Sequence, residues 1–245
     1  MYDLAARDRC KMMHTISDLK ACYDRQLPNI GCLVEEAIGV EHEPAKLFAR
    51  ILPVMNHYIC TSFGISENYY GSDIFKLGGT GQGNSASGAI CRDTSCIIFK
   101  KIEKEGLGVI MRLPLSFEEF TRCVIAFVND IDFYTNNKDF QEKMQLLMDM
   151  YTRLYEATGG KIQESKILYY CWKWGYEKGR RLIKQVETEL FVYGERIECI
   201  EPTKSTRILG VHINPSLSWD DQFEVMRKKL HISITKMMNT DVNAY

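Results

Sequence analysis

The residues best suited to chemistry in this sequence are acids that follow short apolar runs. Residues 124–133 read V-I-A-F-V-N-D-I-D-F, so Asn129 and Asp130 separate two β-prone runs. This pattern predicts a tight hairpin with an acidic tip at residues 129–130. A charge beside a core is costly unless something pairs with it. The tip is therefore either a surface turn that faces water or part of a functional site.

A second acid follows a β-prone run near the start of the chain. Residues 12–18 read M-M-H-T-I-S-D, and Asp18 begins the segment D-L-K-A-C-Y-D-R. The most glycine-dense segment, G-G-T-G-Q-G-N, spans residues 78–84 and precedes a helix predicted from Ser85 to Glu105. Its spacing is that of neither a Walker loop nor a dinucleotide fingerprint, and no strong strand precedes it.

The elements that must position these residues are interleaved helices and strands. Hydrophobic periodicity and helix-end signals predict helices over about 28–39, 43–58 with a kink at Pro53, 85–105, 138–158 and 219–239. Strands are predicted at 167–172, in the region 186–200 and at 207–213. Residues 1–12 carry mixed charge and are predicted to be poorly anchored. Because strands and helices do not alternate strictly, the pattern indicates an α+β fold.

Composition excludes several classes of protein. The 245 residues are 45% hydrophobic and 26% charged, and the formal net charge is −1, which argues against disorder and against strong unspecific binding to polyanions. The nine cysteines form no C-x-x-C pair, so we expect reduced thiols in an intracellular protein, nuclear or cytoplasmic. No apolar run reaches the ~18 residues of a membrane span. The five histidines show no zinc spacing.

Taken in order, these segments resemble the palm domain of a reverse transcriptase (RNA-directed DNA polymerase) of the non-LTR retrotransposon type. The resemblance covers most of the chain. The matching segments are Asp18–Asp24 for the D-x-x-x-A-[FY]-D motif, 79–84 for the glycine-glutamine-glycine motif, 126–130 for F-x-D-D, 160–166 (G-K-I-Q-E-S-K) for the glycine-to-lysine motif, and 208–219 for the hairpin that grips the primer. Cys22 stands where Ala is usual.

The resemblance implies a palm-like antiparallel sheet backed by helices over residues 1–218. Residues 40–110 would form partial fingers, and the helix at 219–245 would begin a thumb. The partners implied are an RNA template, a DNA primer and deoxynucleoside triphosphates, with no membrane. The resemblance further implies, as possible partners, other retroelement domains that this chain would lack.

The resemblance also implies a site for two-metal nucleotidyl transfer. Two Mg²⁺ (or Mn²⁺) ions would be held by Asp18, the backbone oxygen of Leu19, and Asp130, because hard cations prefer oxygen ligands. Lys166 would neutralise phosphate or protonate the leaving pyrophosphate. Substrate would be contacted by three further residues: Tyr23 under the sugar, and Gln82 and Gly83 at the templating pair.

The match breaks at Asn129, which stands where the family has a metal-binding Asp. At ~4 Å from a divalent ion, with an effective dielectric constant of ~20, a lost unit charge forfeits up to roughly 8 kcal/mol before relaxation. Asp130 and Asp132 are candidates to compensate. Asn129 nevertheless predicts a catalytic site that is inactive or severely impaired. The alternative is a non-catalytic, retroelement-derived domain that binds RNA or protein.

Overall fold

The computed structural model describes residues 1–70, 79–81, 85–112, 115–116, 118–136 and 138–238. The first half of the chain supplies one strand of the main sheet and most of the helices. In order, its elements are α1 (Tyr2–Asp8), β1 (Lys11–Asp18), α2 (Cys22–Arg25), α3 (Pro28–Ala37), α4 (His42–Ile51), β2 (His57–Thr61), β3 (Gly64–Tyr70), α5 (Ser85–Lys104) and β4 (Val109–Arg112).

The second half supplies the rest of the sheet and two long helices. Its elements are β5 (Glu119–Arg122), β6 (Val124–Phe127), β7 (Asp130–Asn136), α6 (Phe140–Ala157), β8 (Leu168–Glu177), β9 (Arg180–Gln185), β10 (Phe191–Val192), β11 (Glu195–Arg196), β12 (Glu198–Ile200), β13 (Thr206–Ile208), β14 (Val211–Ile213) and α7 (Asp220–Met238). Short 3₁₀ turns span Leu52–Val54 and Glu164–Lys166.

The main sheet has the strand order β12-β8-β1-β7-β6, and β9 also pairs with β8. All these pairings are antiparallel except that of β12 with β8. The central strand β1 is buried along almost its whole length, as expected for a strand that is covered on both faces. The α+β prediction, with an antiparallel sheet backed by helices, is confirmed.

Each face of the sheet packs into its own apolar cluster, because successive side chains of a strand point to opposite faces. On one face, Met13, Ile131 and Phe133 pack with residues of α5 and α6. On the other face, Met12, Tyr134, Tyr170 and Trp172 pack with Tyr2 and Ala5 of α1. The helices thus cover one face, and the N-terminal helix covers part of the other.

Several sequence predictions are corrected. Residues 1–12 are anchored, since Tyr2, Ala5 and Ala6 are buried in α1 and β1 begins at Lys11. The helix predicted over 43–58 ends at Ile51, because the proline-containing turn Leu52–Val54 breaks it and His57 opens a strand. The single strand predicted at 207–213 is a hairpin of β13 and β14 with Leu209 and Gly210 at positive φ.

The last helix, α7, is formed as predicted, but its apolar side is solvent-exposed rather than packed. Within the described residues, no helix is both long and apolar enough to cross a bilayer.

Candidate functional site

Two acids meet at one end of the main sheet. Asp18 ends β1, Asp130 begins β7, and the two residues are direct partners in the antiparallel register. Such partners lie about 4.5–5.5 Å apart at Cα. The expectation that Asp18 lies beside the hairpin turn is therefore confirmed.

The hairpin itself differs by one position from the sequence prediction. Phe127 pairs with Asp130, so the two-residue turn consists of Val128 and Asn129, and Asp130 belongs to the strand. Val128 has a φ of 58°, which is unusual for a β-branched residue. This local strain is located directly beside the acid pair.

Asn129 and Lys166 both bind the carboxylate of Asp18. The side-chain amide of Asn129 donates a hydrogen bond to Oδ1 at 2.7 Å. The ammonium group of Lys166 donates to Oδ2 in an ion pair. Each oxygen of the carboxylate thus accepts a hydrogen bond from a nitrogen donor.

The backbone that follows α6 brings Lys166 to this position. Leu19 forms an isolated antiparallel bridge with Ile162. Two backbone hydrogen bonds flank this bridge. The N–H of Lys20 donates to the carbonyl oxygen of Lys161 at 2.8 Å, and the N–H of Gln163 donates to the backbone carbonyl oxygen of Asp18 at 2.8 Å. The 3₁₀ turn Glu164–Lys166 then directs the lysine side chain back to the end of β1.

The pKa values of Asp130 and Lys166 are both raised in this site. Burial, followed by the negative charges of Asp18 and Asp132, raises the pKa of Asp130, and Lys166 lowers it in part. The hydrogen bond and the charge of Asp18 raise the pKa of Lys166. The lysine is therefore held in its charged form beside Asp18.

Asp132 lies on the same face of β7 as Asp130, two positions away, and belongs to a buried hydrogen-bond network. Its Oδ1 accepts a hydrogen bond from Nε2 of His14 at 2.9 Å, and Nδ1 of His14 accepts one from the hydroxyl of Tyr2 at 2.6 Å. The His14 ring stacks on Tyr134, with centroids 4.4 Å apart. One carboxylate oxygen of Asp132, Oδ1, is thus engaged in this network, and compensation for Asn129 by Asp132 stays a prediction. No local sequence pattern indicates this network, because its members are distant along the chain.

Tyr23 lies on the neighbouring helix α2, against which Gly79 and Thr80 dock. Its carbonyl oxygen accepts hydrogen bonds from the backbone N of Thr80 at 2.7 Å and from the Thr80 hydroxyl at 3.2 Å. A Cβ at Gly79 would lie 2.2 Å from the same oxygen, so this approach requires glycine. Gln82 and Gly83 lie outside the described residues.

An open cleft of about 880 Å³ lies over the acid pair. It includes Arg207 and Thr206 of β13, which were not predicted as site residues from the sequence. The cationic side chains of Lys166 and Arg207 thus line the same cleft as the two acids. Its lining residues are Ile16, Ser17, Asp18, Phe127, Asp130, Lys166, Leu168, Thr206, Arg207, Leu209 and Gly210.

The donor set at this end of the sheet does not fit a pair of divalent ions. Mg²⁺ requires free oxygen ligands, whereas both oxygens of Asp18 accept hydrogen bonds from N–H groups of Asn129 and Lys166. Asp130, the register partner of Asp18, supplies the one further carboxylate beside Asp18 in the strand register. Across the described part of the chain, no cluster of three or more His, Cys, Asp or Glu side chains is arranged to hold a metal ion.

Comparison with known proteins gives matches in solved structures alone. No protein-family model and no curated protein sequence matches the chain. Telomerase from Candida tropicalis, in complex with a TWJ fragment of telomeric RNA, is 14% identical with a TM-score of 0.49, over 89% of this chain and 31% of that one. The corresponding telomerase from Candida albicans is 13% identical with a TM-score of 0.48, over 85% and 30%.

A third match is the apo telomerase from Candida tropicalis truncated from its C-terminal domain. It is 14% identical with a TM-score of 0.48, over 85% of this chain and 35% of that one. The chain spans about a third of the length of these telomerase chains. At these values the likeness carries no argument about function, so the assignments below depend on the geometry of this chain.

Proposed function

We propose that the chain is a reverse-transcriptase-like palm that binds a nucleic-acid end in its cleft and is impaired in two-metal nucleotidyl transfer. The observation that carries this proposal is the state of Asp18, whose two carboxylate oxygens accept hydrogen bonds from Asn129 and Lys166. In this arrangement the ammonium group of Lys166, and not an added cation, neutralises the carboxylate of Asp18. The ancestral activity would be RNA-directed DNA synthesis with Mg²⁺ or Mn²⁺.

The roles of the remaining residues follow from their positions. Lys166 and Arg207 are exposed cations in the cleft and would contact backbone phosphates. Tyr23, held against Thr80, would contact the sugar of the terminal nucleotide. The partial fingers over 40–110, the thumb beginning at 219 and the roles of Gln82 and Gly83 remain predictions.

Nucleic-acid binding is tested with a fluorescein-labelled RNA template annealed to a DNA primer. Arg207→Ala should weaken binding and reduce the slope of log Kd against log salt by about 0.7–0.9, because one phosphate contact is lost. Lys184→Ala is the matched control. Lys184 is on β9, opposite Lys173 in the strand register, and so lies toward the end of β8 that is remote from the cleft. Equal affinity of both variants and the parent chain would place binding outside the cleft.

Catalytic impairment is tested by primer extension in Mg²⁺ and, separately, in Mn²⁺. We expect little or no extension by the parent chain and a gain in Asn129→Asp. The gain should occur because the substitution replaces an N–H donor to Asp18 with a carboxylate. Robust extension by the parent chain would contradict the impairment. Absence of activity in Asn129→Asp would show that the defect lies elsewhere.

A further inference from the structure

The thiols of Cys22 and Cys91 are in contact beside the candidate site. Their Sγ atoms lie 2.7 Å apart, and both side chains are buried. Cys22 is the first residue of α2, next to Tyr23, and Cys91 lies in the first half of α5. A disulfide requires an S–S distance of about 2.05 Å. A small closure would therefore join these two helices covalently.

A cavity reaches one member of this pair, Cys91. It has a volume of about 500 Å³, lies between α5 and β6, and is lined in part by Cys91. The exposed residues Arg92 and Lys100 also line it, so the cavity reaches the solvent. A molecule of the size of hydrogen peroxide can therefore enter a cavity that borders Cys91, whose Sγ lies 2.7 Å from Cys22 Sγ.

The surroundings of Cys22 favour its thiolate. The thiol of Cys91 and the hydroxyl of Tyr155, 3.4 Å from Cys22 Sγ, donate to the sulfur and lower the pKa of Cys22, although burial opposes this. The same contact, together with burial, raises the pKa of Cys91. A cysteine of lowered pKa in contact with a second thiol favours oxidation to a disulfide, since the thiolate is the reacting form.

We propose that Cys22 and Cys91 form a peroxide-sensitive dithiol that closes to a disulfide between α2 and α5. The Cys22 thiolate attacks a hydroperoxide, the O–O bond breaks, and Cys22 becomes a sulfenic acid. The expelled alkoxide (hydroxide, for hydrogen peroxide) takes a proton from the solvent, which balances the proton that Cys22 released on ionisation. The Cys91 sulfur then attacks the Cys22 sulfur. The S–S bond forms, and the expelled hydroxide takes the Cys91 proton as water. Two thiols are oxidised, and one peroxide is reduced.

The position of the bond gives it a structural effect. It would close a loop that contains α3, α4 and Thr80, whose backbone and hydroxyl bind the Tyr23 carbonyl. It would therefore fix α5 against the Tyr23 segment. From loop-closure entropy and the size of the chain, the Tm should rise by on the order of 5–10 °C. This inference is independent of the proposed function.

Peptide mapping of the full chain tests the proposal. After a hydrogen peroxide titration and alkylation with iodoacetamide, trypsin releases Cys22 in residues 21–25, Cys91 in 77–92 and Cys96 in 93–100. We expect the first two peptides joined, lighter by two hydrogen atoms than their sum, and separated again by dithiothreitol. The same product should form in the double variant Cys60→Ser/Cys96→Ser, which lacks the two exposed cysteines.

The thermal readout is independent of the digest. Peroxide should raise the Tm of the parent chain and of Cys60→Ser/Cys96→Ser, and should leave the Tm of Cys22→Ser unchanged. The proposal is overturned if Cys22 and Cys91 stay fully alkylatable at a peroxide dose that oxidises Cys60 or Cys96. A disulfide between Cys91 and Cys96 would overturn it equally. The parent chain and the double variant both retain Cys22 and Cys91. Their peptide maps and Tm shifts therefore decide the test even if Cys22→Ser does not fold.

Discussion

Asn129 donates a hydrogen bond to the carboxylate of Asp18 across 111 positions of sequence, with a nitrogen-to-oxygen distance of 2.7 Å. This bond ties the β6–β7 turn to the end of the central strand. An acid at position 129 could accept but not donate while ionised, so Asn gives the site a contact that Asp cannot make. The residue that weakens the proposed chemistry therefore stabilises the hairpin.

Asn129→Asp should destabilise the chain in the absence of metal. The substitution removes one hydrogen bond to a charged group and adds a third carboxylate beside Asp18 and Asp130. We expect a loss of about 1–3 kcal/mol in the free energy of unfolding, measured by urea denaturation in EDTA. Asn129→Ala is the matched control, because it removes the bond without adding charge and should lose less.

Divalent metal should reverse that loss in Asn129→Asp alone. At a Mg²⁺ concentration ~100 times the Kd, binding to the folded state would add about 2.7 kcal/mol, read as a rise in Tm. The parent chain should show little shift, since both oxygens of Asp18 are bonded to nitrogen donors. Equal shifts in the two proteins would count against the assigned site.

Asp130→Asn should stabilise the chain at neutral pH. The pKa of Asp130 is raised above 3.8, chiefly by burial, so the folded state binds more protons than the unfolded state between that value and the folded pKa. Stability therefore falls as pH rises through this window, and the penalty is fully present above it. Solvent screening limits the gain from Asp130→Asn to less than about 1 kcal/mol.

The measurement compares Asp130→Asn with the parent chain by urea unfolding at about pH 4 and about pH 7. The gain should be larger at the higher pH, where the parent carboxyl is ionised. A variant less stable than the parent at neutral pH would mean that attraction to Lys166 outweighs burial and the charges of Asp18 and Asp132.

Gly79→Ala should be severely destabilising. A Cβ at this position would lie 2.2 Å from the carbonyl oxygen of Tyr23 and 2.4 Å from the carbonyl carbon of Asp24. Gly81 has the same φ of +76°, and no atom of the described residues lies within 4 Å of a Cβ built there. Gly81→Ala should therefore add backbone strain without a steric clash against these residues. We expect losses of about 3 kcal/mol or more for Gly79→Ala and about 1–2 kcal/mol for Gly81→Ala. Equal losses would show that the docking on Tyr23 is not tight.

The sequence predicted the meeting of Asp18 with the hairpin because both acids end β-prone runs and because the motif order resembles a known palm. It also predicted α5 and α6 to within about two residues, since small or apolar residues at helical spacing and terminal glycines mark their ends. The helix ends are local features of the chain, and a periodic pattern or a turn signal is sufficient to reveal them. The contact of Asp18 with the hairpin is not local, and only the order of the motifs predicted it.

Contacts between distant segments were not predictable in this way. Lys166 reaches Asp18 because Leu19 bridges Ile162, which no local pattern indicates. The mixed charges of residues 1–12 conceal the fact that Tyr2 binds the buried His14. Cys22 and Cys91 have no motif spacing, and the packing of α2 against α5 alone brings their sulfurs together.

Val128→Gly should stabilise the chain, although glycine usually weakens strands. Val128 is the first residue of the two-residue turn and has a φ of 58°, whereas Asn129 has a negative φ, a pattern typical of a type II′ turn, which favours glycine at its first position. Relief of about 1–2 kcal/mol of left-handed strain exceeds the entropic cost of glycine, so we expect a net gain of about 0.5–1 kcal/mol in urea unfolding. Ala126→Gly, on the adjoining strand at ordinary φ, is the matched control and should lose about 0.5–1 kcal/mol. A loss in both variants would mean that the side chain of Val128 contributes more to packing than its backbone strain costs.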